Sequence, residues 1–174
     1  MIFQAIFGIL HRTKMLDAAM AVDKEDGGHV IATNRKARHD YTVLETVEAG
    51  IVLTGTEVKS LRLGNANLTD SYAAVRRGEV WLLGAHVSPY ERGSYSNVNP
   101  RRERKLLLHK KEIRKLTART SETGVTVIPL KLYFTSTNIA KVLLGVCRGK
   151  KEYDRRQDIA RREAERDIRR KYAR

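Results

Sequence analysis

The chain has 174 residues, with 34 Lys and Arg against 20 Asp and Glu, which gives a formal net charge of +14 and a pI of about 10.2. This length suits one domain with appendages better than two domains. The charge excess predicts a polyanionic partner, and it favours nucleic acid over a membrane surface because the most basic helical candidate lacks the apolar face that membrane binding needs. The single cysteine, Cys147, excludes an intramolecular disulfide and a multi-cysteine zinc site, and its apolar surroundings predict a buried strand residue.

Residues 1–28 differ in character from the rest of the chain and are predicted to be an N-terminal extension. Their apolar run, residues 2–10, is shorter than the roughly 20 residues that cross a bilayer. No Lys or Arg precedes that run, as a signal peptide would require. We expect the extension to be disordered or to lie upstream of the true translation start, for which Met15 and Met20 are alternatives.

Short strand patterns dominate the next segment. Residues 57–62 form a predicted helix between the second and third strands, with Val58 and Leu61 facing the core and Gly64 ending it. Arg76, Arg77 and Gly78 are typical of a hairpin turn. The four predicted strands are residues 41–45, 50–55, 71–75 and 79–84.

The second half of this domain begins with a predicted long loop, residues 85–104. An amphipathic helix follows at residues 110–120, with Ile113 and Leu116 on its apolar face. Two more strands are predicted at residues 125–134 and 141–147. About six strands with short helices predict a small β-barrel or a sandwich over residues 29–149, and hydrophobic periodicity does not distinguish the two. An OB-fold-like closed antiparallel barrel would hide its sheet edges and leave loops and one face free for RNA.

The C-terminal segment, residues 150–174, is predicted to be a basic tail. The final 27 residues contain 12 Lys and Arg and six Asp and Glu, with a thin apolar stripe at Ala160, Ala164, Ile168 and Tyr172. Ion pairs spaced four residues apart contribute only about 0.2 to 0.5 kcal/mol each. We therefore expect a tail that is disordered alone and helical when it is bound to an anionic partner.

Positive charge is concentrated in three regions: residues 35–39, residues 101–115 and the tail. One such run is commonly a solvated face. Three in one small protein favour contact with RNA, because clustered Lys and Arg gain affinity by releasing counterions from phosphates.

Six motifs resemble those of the SsrA-binding protein (SmpB) family, in family order: residues 34–41, 48–51, 55–62, 70–72, 104–109 and 149–156. The resemblance implies an OB-fold-like barrel that binds the tRNA-like domain of transfer-messenger RNA (SsrA RNA) and accompanies it to stalled ribosomes for trans-translation in the cytoplasm. The implied partners are this RNA and the ribosome, at the decoding centre and messenger channel of its small subunit. Elongation factor Tu is a further candidate, through the aminoacylated RNA.

The resemblance also assigns candidate RNA contacts, with the family's RNA-binding positions falling on Glu48, Leu107 and Lys141. Core packing is the alternative for Leu107, and a salt bridge with Arg38 or Lys59 is the alternative for Glu48. The full candidate set is Asn34, Arg35, Lys36, Arg38, His39, Glu48, Lys59, Arg104, Lys105, Leu107 and Lys141.

For the tail, the resemblance implies that it occupies the empty messenger channel and decoding centre. Tyr153 matches a stacking position of the family, and an exposed tyrosine without any contact is the alternative. The candidate ribosome contacts are Lys150, Lys151, Tyr153, Asp154, Arg155, Arg156, Arg161, Arg162, Arg169, Arg170 and Lys171.

Two rival functions arise from the residues alone. A nuclease would need an acid and base pair or a metal site, but the five histidines have no spacing typical of either. A general RNA-binding or ribosome-assembly protein fits the composition equally well, and only the motifs argue against it. We expect no catalysis, cofactor, metal ion, membrane or small-molecule substrate.

Overall fold

A computed structural model describes residues 28–150. The prediction that the extension, residues 1–28, is disordered or precedes the true start lies outside these residues except at Gly28. The prediction that the tail becomes helical on binding lies outside them beyond Lys150. The described chain is mostly β, as predicted, with short helices between the strands.

Nine strands and three α-helices make up the described chain. The strands are β1 (Val30–Thr33), β2 (Tyr41–Ile51), β3 (Ala66–Asn67), β4 (Tyr72–Arg76), β5 (Glu79–Leu83), β6 (His86–Val87), β7 (Arg104–Leu107), β8 (Val125–Phe134) and β9 (Ala140–Gly149). The helices are α1 (Arg35–Asp40), α2 (Gly55–Arg62) and α3 (Lys110–Thr120), with a 3-10 segment at Glu91–Ser96.

Six of the strands form a closed ring in the order β8, β4, β5, β7, β2 and β9, and β9 pairs back to β8. All of these pairings are antiparallel. The seventh strand of the sheet, β1, pairs with the second half of β8 beyond the point where β4 leaves it. The ring gives every strand within it two neighbours, which satisfies backbone groups that an open sheet would expose.

Strand β2 corrects the sequence prediction, because two strands were predicted where the structure has one. It pairs with β9 from Tyr41 opposite Gly149 to Gly50 opposite Lys141, with one register shift between Val43 and Glu45. The strand ends at Ile51, and Thr54 then begins α2 with a capping box closed by Glu57.

Local signals predicted several other elements correctly. The hairpin turn between β4 and β5 is confirmed, with Arg77 and Gly78 at φ of 52° and 76°, as a type I′ turn requires. Gly64 at φ 78° follows α2. Two elements were missed: α1, which the sequence suggested only as a basic run, and the short pairing of β6 with β3 inside the predicted loop.

The core fills the inside of the ring. Leu61 of α2 and Leu116 of α3 are buried in it, as the two helical faces predicted. Cys147 is also fully buried, as predicted, and this burial raises the pKa of its thiol to about 12. The largest buried apolar side chains are Leu61, Leu82, Leu106, Leu116, Leu130, Leu132 and Leu144.

Candidate nucleic-acid interface

Four adjacent strands present one row of side chains on the outside of the ring, which we call the outer row. Its members are Leu107, Gly50, Lys141 and Tyr133, on β7, β2, β9 and β8 respectively. Leu107 lies opposite Gly50, Gly50 opposite Lys141, and Lys141 opposite Tyr133. Because direct cross-strand partners point to the same face, these side chains share one outer surface.

Glu48 completes this surface, since it lies two residues before Gly50 on β2 and therefore on the same face. Its carboxylate accepts hydrogen bonds from the Lys141 Nζ and from the Tyr133 hydroxyl. Partial burial raises the pKa of Glu48, but the hydrogen bonds from Lys141 and Tyr133 outweigh burial and hold it below its ordinary value. The carboxylate is therefore charged and oriented at neutral pH.

This geometry answers the two alternatives posed for Leu107 and Glu48. Leu107 is 54% exposed while Leu106 is buried, so the core takes Leu106 and the outer face takes Leu107. Glu48 does form a salt bridge, but with Lys141 rather than with Arg38 or Lys59. Lys141 remains one-third exposed, and its ammonium has three donors, so it can bind Glu48 and a phosphate together.

Apolar side chains surround the outer row. Val52 follows Gly50 by two residues on the same side and is 43% exposed, and Val30 on β1 lies opposite Tyr133. Ile139, just before β9, is also exposed. A polar centre with an apolar border suits a partner that has both charged groups and flat faces, as folded RNA does.

Besides the outer row, a group of basic side chains lies on α1, at the opposite end of β2, and we call it the second basic group. Tyr41 and Gly50 are separated by nine residues, or about 30 Å of extended strand. Helix α1 carries the candidate residues Arg35, Lys36, Arg38 and His39, all exposed. A cleft of about 380 Å³ opens beside it and is lined by Lys36, Tyr72 and Ile128 among others.

The last described residue lies against α1. The Lys150 amide donates to the Asp40 carbonyl at 3.0 Å, and the Lys150 Nζ donates to the Arg38 carbonyl at 3.3 Å. Lys36 donates to the Asp70 carboxylate at 2.8 Å, and this hydrogen bond raises the pKa of the lysine. The tail therefore leaves the described chain beside the basic helix and far from the outer row.

Two predicted contacts are corrected by their burial. Arg104 is fully buried, and its guanidinium donates to the Glu57 carboxylate at 2.9 Å and to the carbonyls of Ala85 and Pro100. Asn34 is 4% exposed, because its side chain caps α1 by accepting from the Ala37 amide at 3.0 Å. Both side chains hold the structure together and are removed from the candidate interface.

The remaining predicted cations are accessible. Lys105 precedes Leu107 by two residues on β7, faces the same side and pairs with Glu79. Lys59 on α2 lies 5.5 Å from the centre of the Tyr90 ring, which is a cation–π distance. Lys105 therefore extends the outer row, whereas Lys59 faces the loop after β6.

The candidate contacts predicted from the sequence did not include two surface tyrosines, Tyr133 and Tyr95. The alternation of β8, with Leu132 and Phe134 buried, could have placed Tyr133 on the outer face. No local pattern predicts the exposure of Tyr95, which lies in the 3-10 segment.

Among residues 28–150, no group of three His, Cys, Asp or Glu side chains could hold a metal ion. No helix in the same range is long and apolar enough to cross a membrane.

The fold and this surface define a small, strongly basic β-protein with an exposed row of polar and apolar side chains on the outside of its ring. The family model described as "SmpB protein" matches residues 31–174. The chain is 55% identical to the SsrA-binding protein of Nocardia farcinica over 155 residues, which is 89% of this chain and 96% of the relative. It is also 55% identical to the SsrA-binding protein of Enterococcus faecalis, over 81% of this chain and 91% of the relative.

One solved structure resembles the fold, with a TM-score of 0.61 and 51% sequence identity, over 74% of this chain and 93% of the other. It is described as "tmRNA-SmpB: a journey to the center of the bacterial ribosome". With a family model that matches most of its length, the chain belongs to the SmpB family.

Proposed function

We propose that this protein binds transfer-messenger RNA through the tRNA-like domain of that RNA and delivers it to stalled ribosomes for trans-translation. The relatives at 55% identity are SsrA-binding proteins, and the similar solved structure concerns transfer-messenger RNA with SmpB in the bacterial ribosome. The partners are accordingly this RNA and the ribosome, with elongation factor Tu as an additional candidate.

The outer row is the observation that carries this proposal. Glu48, Leu107 and Lys141 are separated by many residues along the chain, yet they meet on adjacent strands around Gly50. Lys141 supplies a cation for phosphate, Leu107 an apolar surface for a sugar or base, and Glu48 an oriented acceptor for base amino groups or 2′-hydroxyls. Tyr133 holds Glu48 in place through its hydroxyl.

The interface extends from this centre to Lys105 on the outer face. Lys59, at the side of α2, completes the RNA-binding set on this half of the molecule. We assign Arg35, Lys36, Arg38 and His39 of α1 to RNA contact at the other end of β2. These two groups lie far enough apart to engage two regions of RNA at once.

The tail is assigned to the ribosome. Since Lys150 hydrogen-bonds to α1, the tail begins beside the second basic group and away from the outer row, and this supports separate roles for the outer row and the tail. Tyr153 would stack there on ribosomal bases, and the flanking cations would contact phosphates. The tail residues in this assignment are Lys150, Lys151, Tyr153, Asp154, Arg155, Arg156, Arg161, Arg162, Arg169, Arg170 and Lys171.

The architecture proposed with this function is an OB-fold-like closed barrel. A six-stranded antiparallel ring supports it over a sandwich, which would separate the strands into two sheets. The domain division is an extension at 1–28, the barrel at 29–149 and the tail at 150–174. The protein acts in the cytoplasm as a binding factor without catalysis of its own.

Substitution of the outer row tests the RNA-binding half of the proposal. Glu48→Ala and Lys141→Ala should each weaken binding to the tRNA-like domain by about tenfold, in line with the loss of a charged hydrogen bond. Glu103→Ala is the control for removal of a charge, because Glu103 is half exposed in a salt bridge with Arg76 and is not among the assigned contacts. Unchanged affinity in both outer-row variants, with circular dichroism as in the parent, would remove the outer row from the site.

Deletion of residues 151–174 tests the ribosomal half. The shortened protein should bind the tRNA-like domain as the full chain does, yet support no peptide tagging in reconstituted translation of a message without a stop codon. Failure of the full-length protein to support tagging would contradict the proposed function. Loss of RNA binding together with tagging would contradict the division between ring and tail.

A further inference from the structure

Tyr95 is an exposed aromatic side chain on a loop that is otherwise firmly braced. Its side chain is 99% exposed, more than any other large apolar residue in the described chain. Exposure of a whole aromatic ring forgoes the stabilisation of about 1.5–3 kcal/mol that burial of such a side chain would bring. The fold therefore presents this ring to solvent without any gain in stability from it.

The loop, residues 88–100, is closed on itself by Asn97. The Asn97 side chain accepts from the Tyr90 amide at 3.0 Å and donates to the Tyr90 carbonyl at 2.9 Å. Gly93 lies so close to the Asn97 side chain that a Cβ at residue 93 would lie 2.5 Å from the Asn97 Oδ1. Lys59 lies over the Tyr90 ring from the side of α2. The loop is thus held by contacts of Tyr90, before Tyr95 in the chain, and of Asn97, after it.

Both ends of the loop are also tied to the body of the protein. The Ser60 hydroxyl donates to the Ser88 carbonyl at 2.6 Å, and Arg104 donates to the Pro100 carbonyl at 2.9 Å. Next to Tyr95, the Thr56 hydroxyl donates to the Ser96 carbonyl at 3.2 Å. These contacts reduce the conformational entropy that the loop would lose on binding a partner.

Ser94 carries backbone strain immediately before Tyr95. Its φ of 42° and ψ of −130° lie in a region that non-glycine residues rarely adopt and that costs about 1–3 kcal/mol. This kink interrupts the 3-10 segment at the point where Tyr95 leaves the loop surface. Such strain persists where surrounding contacts enforce it and is concentrated at binding sites.

The exit of the loop is fastened to the same strand end that carries the outer row. Arg102 donates to the Val52 carbonyl at 3.2 Å, and Val52 lies two residues beyond Gly50. The Val52 amide in turn donates to the Lys105 carbonyl at 3.0 Å. Thr56, which donates to the Ser96 carbonyl, lies four residues beyond Val52, so the loop holds Tyr95 on the side of the molecule where β2 ends.

We propose that Tyr95 is a preformed stacking platform for an unpaired base of the RNA that occupies the outer row. This inference rests on the proposed function and adds an aromatic stacking surface for the tRNA-like domain, which none of the predicted contacts to that domain supplies. The charge around the ring favours RNA over a protein partner, because Arg92 and Arg101 outnumber Glu91 in this part of the loop and its exit, while Arg102 is paired with Glu57 and Glu103 with Arg76. Every base has a flat face, so the platform adds affinity with little dependence on sequence.

The test compares Tyr95→Ala and Tyr95→Phe in titrations of the fluorescently labelled tRNA-like domain with the full-length protein. Tyr95→Ala should weaken binding by about 5- to 140-fold, which corresponds to the 1–3 kcal/mol of one base stack at 1.4 kcal/mol per tenfold change. Tyr95→Phe keeps the ring and should bind within about twofold of the parent. Tyr172→Ala, which changes a tyrosine of the tail, is the control and should leave affinity for this domain unchanged, as deletion of the tail should.

Salt dependence separates stacking from an indirect effect on nearby cations. Stacking releases no counterions, so the slope of log affinity against log salt concentration should be the same for Tyr95→Ala and the parent. A shallower slope would mean that Tyr95 only positions arginines, and this would overturn the inference. Unchanged affinity in Tyr95→Ala would overturn it as well, even if ribosome binding were lost, since that result would indicate a protein partner.

Failure of the inference is distinguishable from failure of the proposed function. If the parent protein prefers the tRNA-like domain over unrelated RNA and Tyr95→Ala binds equally well, only the stacking role is wrong. If the parent itself shows no preference, the proposed function is wrong, and the role inferred for Tyr95 at that interface is wrong with it.

Discussion

Glu57 is the residue whose removal should destabilise the described fold most through polar contacts. Its carboxylate is 4% exposed and accepts from the Thr54 amide at 2.8 Å, from Arg102 at 2.9 and 2.5 Å, and from Arg104 at 2.9 Å. These bonds join the start of α2 to β7 and to the exit of the Tyr95 loop. Arg104, fully buried, depends on this carboxylate for its only opposite charge among the described contacts.

The expected cost of Glu57→Ala follows from these contacts. Removal of one partner of a buried ion pair costs about 3–5 kcal/mol, because the other charge stays buried. The carbonyls of Ala85 and Pro100 still accept from Arg104, which favours the lower end, while loss of the capping box adds about 1 kcal/mol. We therefore expect the free energy of unfolding to fall by about 4 kcal/mol.

Urea denaturation followed by circular dichroism measures this loss, with Glu103→Ala as the control. Glu103 lies between the same two arginines, but its salt bridge with Arg76 is half exposed and should contribute less than about 1 kcal/mol. A loss below about 1 kcal/mol in Glu57→Ala would refute the reasoning, because the buried Arg104 would then not need the carboxylate.

The acid range gives a second measurement on the same residue. Burial raises the pKa of Glu57, but the hydrogen bonds from Arg102 and Thr54 and the charge of Arg104 outweigh burial and hold it below 4.5. A carboxyl group with a lowered folded-state pKa stabilises the fold above its unfolded-state pKa, and this contribution disappears as the pH falls through the folded-state value. The difference in stability between the parent and Glu57→Gln should therefore be constant near neutral pH and shrink below pH 4.5. A difference that grows on acidification would contradict this sign.

Three further predictions concern single positions. Leu107→Ala should weaken binding to the tRNA-like domain but change the free energy of unfolding by less than about 0.5 kcal/mol, because Leu107 is exposed. Leu106→Ala should lower the free energy of unfolding by about 2–5 kcal/mol, because Leu106 is buried. Equal losses for the two variants in urea denaturation would contradict the assignment of Leu106 to the core and Leu107 to the outer face. Cys147 should react with a thiol reagent only as fast as the ring opens, because the thiol is buried with a pKa of about 12, and rapid labelling of the native protein at about pH 8 would show that it is accessible. Gly84→Ala should destabilise the fold by more than about 1 kcal/mol in the same denaturation assay. Gly84 has φ of 75°, which strains an alanine backbone, and a Cβ there would lie 3.2 Å from the Asp70 carbonyl oxygen. An unchanged denaturation midpoint would contradict this expected strain.

Local signals explain the parts of the fold that the sequence predicted. The turn at Arg77 and Gly78, the end of α2 at Gly64 and the apolar face of α3 are each encoded within a few neighbouring residues. The prediction divided strand β2 by leaving residues 46–49 out of both predicted strands. The structure continues the strand through them because they pair with β9, from Thr46 opposite Gly145 to Ala49 opposite Val142.

The site depended on contacts between distant residues, which local patterns cannot give. The burial of Arg104 requires Glu57, 47 residues earlier, and a run of basic residues predicted an exposed cation there instead. The choice between Leu106 and Leu107 is decided by pairing with β2 and β5, not by their own segment. The family resemblance identified Glu48, Leu107 and Lys141 without any of this geometry, and the register of β7, β2 and β9 now explains why these three positions lie together.

The measurement that tests the central claim most directly is a competition titration at physiological salt with the full-length protein. The tRNA-like domain of transfer-messenger RNA competes against an unrelated structured RNA of the same length and charge. Our account predicts a preference on the order of 10³-fold for the tRNA-like domain, the lower end for specific nucleic-acid recognition. Equal affinity for the two RNAs would contradict it, because counterion release alone would then explain the binding.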